Sequence, residues 1–167
     1  MQRYYYIFNT TAGYSGILAS TAGLLRTTLP QPSDVTIRQM FGNSIDYTTW
    51  SPDFFQDITA RLQAYFKGHK VTFADRLDMS GATPWQRQVW QSTRLIPYGE
   101  TRSYKWLAEQ TGKPAAARAV GQALGRNPLP VIIPCHRVLA GNGHLGGFSG
   151  GTATKEWLLS LEVSANG

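Results

Sequence analysis

The chain of 167 residues holds a single cysteine, Cys135. One thiol cannot close an internal disulfide, so a stapled secreted scaffold is excluded and a reducing, cytoplasmic setting is expected. Thiolate-rich zinc sites need two or more Cys and are excluded as well. The three histidines, His69, His136 and His144, have no Cys or His partner at metal-ligand spacing. Neither a metal nor a cofactor is expected. Long apolar runs are also missing: none approaches the ~18 residues of a membrane span. The apolar stretch Tyr4 to Phe8 is too short for the core of a secretion signal, and polar Asn9-Thr10-Thr11 follows at once. Low-complexity tracts and internal repeats are absent. With 42% hydrophobic residues the chain can bury a core, as one domain or as two small ones.

Acidic residues are scarce too. Ten Asp and Glu stand against 16 Lys and Arg, a formal charge of +6. The excess is uneven: residues 1–79 hold seven cations against six anions, and residues 80–167 hold nine against four. A polyanion partner for the second half fits this balance, as does a basic surface with no such role.

Periodicity predicts an α+β protein with a boundary near Ser80-Gly81-Ala82. Residues 1–79 form one domain in this reading and residues 80–167 the other. Arg3 to Thr10 suits a strand, and Ser15–Ser20 and Leu24–Leu29 flank a hairpin turn at Thr21-Ala22-Gly23. Gln31 to Trp50 is ambiguous. Ser51-Pro52-Asp53 starts a helix, with Phe54, Phe55, Ile58, Leu62, Tyr65 and Phe66 as its buried stripe and Gly68 as its stop. Val71 to Leu77 reads as a strand. Thr83-Pro84 opens a helix to about Leu95, with Trp85, Val89, Trp90 and Leu95 facing inward. Helices at about 103–110 and from Pro114 to Gly125 have the size and spacing of a helix-turn-helix. Leu129 to Pro134 reads as extended, residues 141–151 as a glycine-rich loop, and Thr154 to Leu161 as a last helix.

Cys135 is the strongest nucleophile by type, within Pro134-Cys135-His136-Arg137-Val138. A lone buried Cys is usually inert packing. An adjacent His changes that estimate, because it can act on the thiol directly or through water and raise its thiolate fraction. On a strand the two side chains would point to opposite faces, so the backbone must bend or a water must bridge.

This pentapeptide resembles the active-site signature of the O6-alkylguanine-DNA alkyltransferases. The resemblance extends through Arg118-Ala119-Val120-Gly121, Asn127-Pro128, Ser149-Gly150-Gly151 and Lys155-Glu156-Trp157-Leu158-Leu159, spanning about residues 80–162. It implies an RNase H-like α/β first domain with a small sheet. The second domain would be mainly helical and winged-helix-like, with a helix-turn-helix. The implied activity is irreversible, stoichiometric transfer of an alkyl group from guanine O6, and from thymine O4, to Cys135. The implied partner is double-stranded DNA carrying alkylated guanine, bound by a monomer without a membrane.

The family's roles fall on particular residues here. Cys135 would accept the alkyl group, His136 would take the thiol proton through a water, and Glu162 would orient His136. Tyr104 would donate to guanine N3. Ser149 and the glycine loop would face O6, and Val138 would offer a carbonyl to the exocyclic amine. Phe148, Gly146, Gly147 and Lys155 would complete the substrate pocket, with the two glycines leaving room for the alkyl group. Arg118 would occupy the stack after base flipping, on a helix whose Ala119 and Gly121 allow close approach to the minor groove. Ser103 and Arg126 would also meet DNA. Asn127 and Pro134 would be structural, Asn127 tying the helix-turn-helix to the Cys135 loop. Phe148 stands where the family often has Tyr, so a hydroxyl is lost but the aromatic wall stays. Rival readings are a lesion-binding protein without transfer, a helix-turn-helix transcription regulator, and a Cys–His hydrolase.

Overall fold

The structure is a computed structural model that describes residues 1–141 and 144–166. The chain divides into two compact units, Met1–Ser80 and Gly81–Gly167.

In the first unit β1 (Arg3–Thr10), β2 (Gly13–Ser20) and β3 (Gly23–Thr27) form an antiparallel meander. A short β4 (Thr49–Trp50) pairs parallel to β1, giving the order β3-β2-β1-β4. The ambiguous stretch 31–50 supplies β4 and α1 (Asp34–Phe41), capped by the Ser33 hydroxyl, which accepts from Thr36 N. Ile37 and Phe41 of α1 pack on Ile7 and Leu18. Gly16 permits that approach: a Cβ there would lie 2.5 Å from Ile37 Cγ2 and 2.7 Å from the Phe41 ring. After a 3-10 turn, α2 (Gln56–Phe66) buries Ile58, Leu62, Tyr65 and Phe66.

Two expectations for this unit fail. Phe54 precedes α2 on the 3-10 turn, so it leaves the buried stripe and stacks on Tyr4 at 4.2 Å, nearly half exposed. Residues 71–77 form no strand; only Leu77 bridges to Leu24. Backbone bonds between Leu24 and the 76–78 stretch hold its end, and Arg61 holds the rest by donating to Asp75 and to the Thr72 carbonyl.

The second unit contains α3 (Pro84–Thr93), β5 (Arg102–Ser103), α4 (Tyr104–Gln110), α5 (Ala117–Gly125), β6 (Val138–Leu139) and α6 (Thr152–Asn166). Thr83 and Gln86 cap α3 reciprocally. Val89 and Trp90 are buried and Trp85 is half-buried, but Leu95 lies beyond the helix and is exposed. Helix α5 starts three residues after Pro114, because Lys113–Ala116 forms a turn closed by Ala116 N to Lys113 O. Helices α3, α4 and α5 pack on one another, and β5 pairs parallel with β6.

Leu129–Pro134 is not extended. It is a tight turn closed by Ile133 N to Leu129 O at 2.8 Å, with Val131 at φ 75°. Helix α6 starts earlier and ends later than the periodicity suggests, so Glu162 lies within it. Among the described residues no helix is long and apolar enough to cross a membrane.

Candidate active site

Pro134 precedes a single 3-10 turn, Cys135–Arg137. Such a turn rotates successive side chains by about a third of a circle rather than alternating them. The backbone is thus bent rather than extended at Cys135 and His136, and all three side chains of the turn are buried. Asn127, just beyond α5, holds the turn. Its Nδ2 donates to Ile133 O at 2.9 Å and to Cys135 Sγ at 3.1 Å, while Oδ1 accepts from Leu129 N at 2.8 Å.

Glu162 reaches in from α6 and is 1% exposed. Its carboxylate meets His136 Nε2 at 2.5 Å, Arg137 Nε at 2.8 Å, Arg137 Nη2 at 3.1 Å and Gly99 N at 3.0 Å. Burial pushes this carboxyl up, but the hydrogen bonds from His136 and Arg137, with the Arg137 charge, outweigh it and hold it at about 2. Glu162 is therefore a carboxylate at neutral pH. A carboxylate only accepts, so His136 Nε2 carries a proton and Nδ1 presents its lone pair. Burial lowers the pKa of His136, which keeps the imidazole neutral. Burial also pushes the Cys135 thiol up, opposed by the Asn127 hydrogen bond and the Lys155 charge. The resting pair is thus thiol and neutral imidazole, not the enriched thiolate that the neighbouring His suggests from sequence.

The site opens into a pocket of about 580 Å³. Tyr104, Cys135, Gly147, Phe148 and Ser149 line one part of it, and Ala117, Arg118, Gly121 and Leu124 bring α5 to it. Burial raises the pKa of Tyr104, so its phenol keeps its proton; the hydroxyl donates to Gly147 O at 3.3 Å.

Several of the residues expected at substrate or DNA have partners within the protein. Lys155 is fully buried, and its ammonium donates to the carbonyls of Val138 at 2.6 Å, Leu145, and Gly147 at 3.3 Å. It clasps the glycine loop to β6 and engages the Val138 carbonyl that the resemblance gives to the base. Ser103 caps α4 by accepting from Trp106 N. The Ala119 carbonyl takes the Trp85 indole N–H. Arg126 is exposed just beyond α5. Gly146 has φ 71°, and a Cβ there would lie 2.8 Å from the Tyr104 ring, whereas at Gly147 a Cβ meets nothing within 4 Å. A side chain therefore has room at position 147, while the positive φ and the nearby Tyr104 ring suit position 146 to glycine. Arg137 and Gly99 were missed by sequence reasoning. Arg137 stood inside the motif, but its partner lies 25 residues away and only the fold joins them.

A family model described as "6-O-methylguanine DNA methyltransferase, DNA binding domain" matches residues 84–164. The methylated-DNA–protein-cysteine methyltransferase of Mycobacterium leprae is 50% identical over 115 residues, covering 68% of this chain and 69% of that relative. The chain belongs to the methylated-DNA–protein-cysteine methyltransferase family. Solved structures agree with the membership across both units of its mixed α+β fold. The O6-methylguanine methyltransferase of Mycobacterium tuberculosis gives a TM-score of 0.78 at 36% identity, covering 98% of this chain and 94% of that one. The same organism's OGT in complex with DNA gives 0.79 at 37% identity, covering 97% and 94%.

Proposed function

We propose that this methyltransferase repairs O6-alkylguanine in double-stranded DNA by moving the alkyl group onto Cys135 Sγ, once per molecule. The observation that carries the reading is a buried thiol lining a pocket, beside a neutral imidazole held by an ionised carboxylate. Transfer needs the thiol at the pocket; a lesion binder or a transcription regulator does not.

The family's roles fit the geometry. Sγ attacks the alkyl carbon in line with the O6–carbon bond. The S–C bond forms as the O–C bond breaks, the thiol proton passes to His136 through a water, and the departing guanine is left to take up a proton. Burial keeps the thiol protonated until that moment, so the base is needed during attack. Glu162 holds the imidazole and stabilises the imidazolium as it forms. The Tyr104 hydroxyl, now on Gly147 O, turns to guanine N3 and improves the leaving group. Ser149 and nearby loop N–H groups face O6. Lys155 acts indirectly, by fixing the loop carbonyls.

DNA meets α5. Its small residues allow close approach in the minor groove, and Arg118, exposed at the pocket, fills the stack once the base is flipped. Helices α4 and α5 form the helix-turn-helix of a winged-helix-like domain. The order β3-β2-β1-β4, with β4 parallel to β1, supports an RNase H-like first domain over residues 1–79. O4-alkylthymine is a second substrate, the working state is a monomer, and the lone reduced thiol suits the cytoplasm.

A thioether is a poor leaving group, and the chain has no second thiol to regenerate the first. Intact mass spectrometry after incubation with excess O6-methylguanine duplex should show one methyl increment, which peptide mapping assigns to Cys135. More than one turnover, or an adduct elsewhere, overturns the reading.

The pocket yields a second expectation. Gly146→Ala should slow methyl and benzyl transfer alike, because any side chain there collides with Tyr104. Gly147→Val should slow benzyl transfer more than methyl transfer, because it adds bulk in open pocket space. Single-turnover rates on duplexes carrying each group decide this. Selective loss of benzyl transfer in Gly146→Ala would reassign the two glycines.

A further inference from the structure

Helix α5 carries Ala117, Ala119, Gly121, Ala123 and Gly125, so few of its side chains can fix it to the protein. Its buried anchors are Val120, Ala123 and Leu124. Val120 and Leu124 are one turn apart on one face, and packing of this kind carries little directional information. The N-terminal end is looser still, because Ala116 at the cap position makes no side-chain hydrogen bond to the helix.

Directional bonds from α3 to main-chain carbonyls of α5 and of the end of α4 add to these anchors. Trp90 Nε1 donates to Ala123 O at 2.8 Å, and Trp85 Nε1 donates to Ala119 O at 3.2 Å. Gln88 Nε2 reaches Thr111 O at 2.9 Å, at the end of α4. The two indoles thus grip carbonyls one turn apart along α5. An indole is rigid and its N–H has one direction, so each bond fixes rotation as well as distance. Trp90 is buried and holds the inner end. Trp85 is half-buried and holds the uncapped end, next to Arg118. Its ring also lies 5.2 Å from Lys113 Nζ, in the turn that leads into α5.

We propose that Trp85 is a positioning residue for repair in duplex DNA: its indole N–H on the Ala119 carbonyl sets the pose of α5 and so aims Arg118. This rests on reading α5 as the DNA-facing helix. Trp85 does not touch the reacting atoms. Its effect is confined to the step in which the protein enters the groove and flips the base, and reaction with a free base skips that step.

The test compares single-turnover rates on an O6-methylguanine duplex and on free O6-benzylguanine. Trp85→Phe keeps an aromatic ring on α3 and removes the donor. It should slow duplex repair about 3–10-fold, the size expected for one hydrogen bond, and leave the free-base rate within about twofold. A 3-benzothienylalanine isostere at position 85 keeps the indole's shape, so it reports loss of the N–H alone even if Phe packs poorly. It should reproduce the split. If both rates fall together, Trp85 is merely structural and the proposal fails; it fails also if the duplex rate is unchanged. Arg118→Ala tests the underlying reading separately. If that variant repairs duplex at the full rate, α5 is not the DNA-facing helix and the proposal falls with it. If Arg118→Ala is slow and both position-85 variants are not, the indole clamp alone is wrong.

Discussion

Arg137→Met should destabilise the second unit by about 3–5 kcal/mol, the cost typical of removing one partner of a buried ion pair. Met fills much of the arginine stem but supplies none of its donors. Two bonds to Glu162 are lost, and so is the bond from Nη1 to Ile96 O. The carboxylate would remain buried, with His136 and Gly99 N–H still bonded to it but the guanidinium charge gone. Its pKa should climb from about 2, because Arg137 is one of the groups that hold it there. The Arg137 charge also depresses His136, so its removal should make the imidazole easier to protonate. Urea unfolding should show a lower midpoint at an unchanged slope. The acid limb of the pH–rate profile for transfer should move to higher pH, which a purely structural loss would not produce. The stability curve carries its own sign. A carboxyl at about 2 when folded and near 4.5 when unfolded contributes stability above about pH 4.5 that is lost as pH falls toward 2. In the variant that acid-sensitive contribution should shrink. An unchanged urea midpoint would mean that Glu162 is satisfied without Arg137.

The parts of this architecture legible in the sequence are those written locally. Thr83 announces α3 with a side-chain oxygen at the cap, Ser51 does the same for the 3-10 turn that leads into α2, and the hairpin between β2 and β3 is marked by Thr21-Ala22-Gly23. Helix α1 was not legible because its stripe is blurred: Val35 and Met40 are exposed, leaving Ile37 and Phe41 as the buried signal. Val131-Ile132-Ile133 imitates a strand by β-branching. The flanking Pro130 and Pro134 and the positive φ at Val131 fold it into a turn, and propensity gives way to the tight closure from Leu129 to Ile133. Residues 71–77 carry strand-like residues but are held by Arg61 from α2, a contact no local pattern encodes.

The site divides in the same way. Cys135 and His136 are adjacent and could be picked out by chemistry alone. Glu162, read without the family, is an ordinary surface carboxylate, and Arg137 an ordinary cation. Their meeting is tertiary, since α6 brings residue 162 back to the 3-10 turn. Lys155 shows the opposite failure. Its place in the family pattern suggested substrate contact, but three carbonyls of the loop and β6 claim its ammonium first.

Transfer should leave the protein less stable than before it reacted. Cys135 Sγ accepts a hydrogen bond from Asn127 Nδ2, and the same amide ties the end of α5 to Ile133 and Leu129. A carbon placed on the sulfur crowds that amide within a turn whose three side chains are buried. Overpacking of this kind costs about 1–3 kcal/mol, and in a unit of this size each kcal/mol moves the melting temperature by about 4–8 °C. The remainder of a larger alkyl group can extend into the pocket of about 580 Å³, which Cys135 itself lines. The loss should therefore be similar for methyl and benzyl adducts, because it arises at the sulfur and not at the far end of the group. Asn127→Ala isolates the cause. That variant should melt lower than the parent when unreacted, and alkylation should then lower it little further, since the tie is already gone. Loosening the tie also frees the C-terminal end of α5, so the alkylated parent should release duplex faster than the unreacted one. Thermal unfolding of the free, methylated and benzylated forms of both proteins measures this directly. A melting temperature unchanged by alkylation of the parent would show that Asn127 keeps its bonds beside a thioether. A much larger drop for benzyl than for methyl would move the strain from the Asn127 tie to the pocket wall.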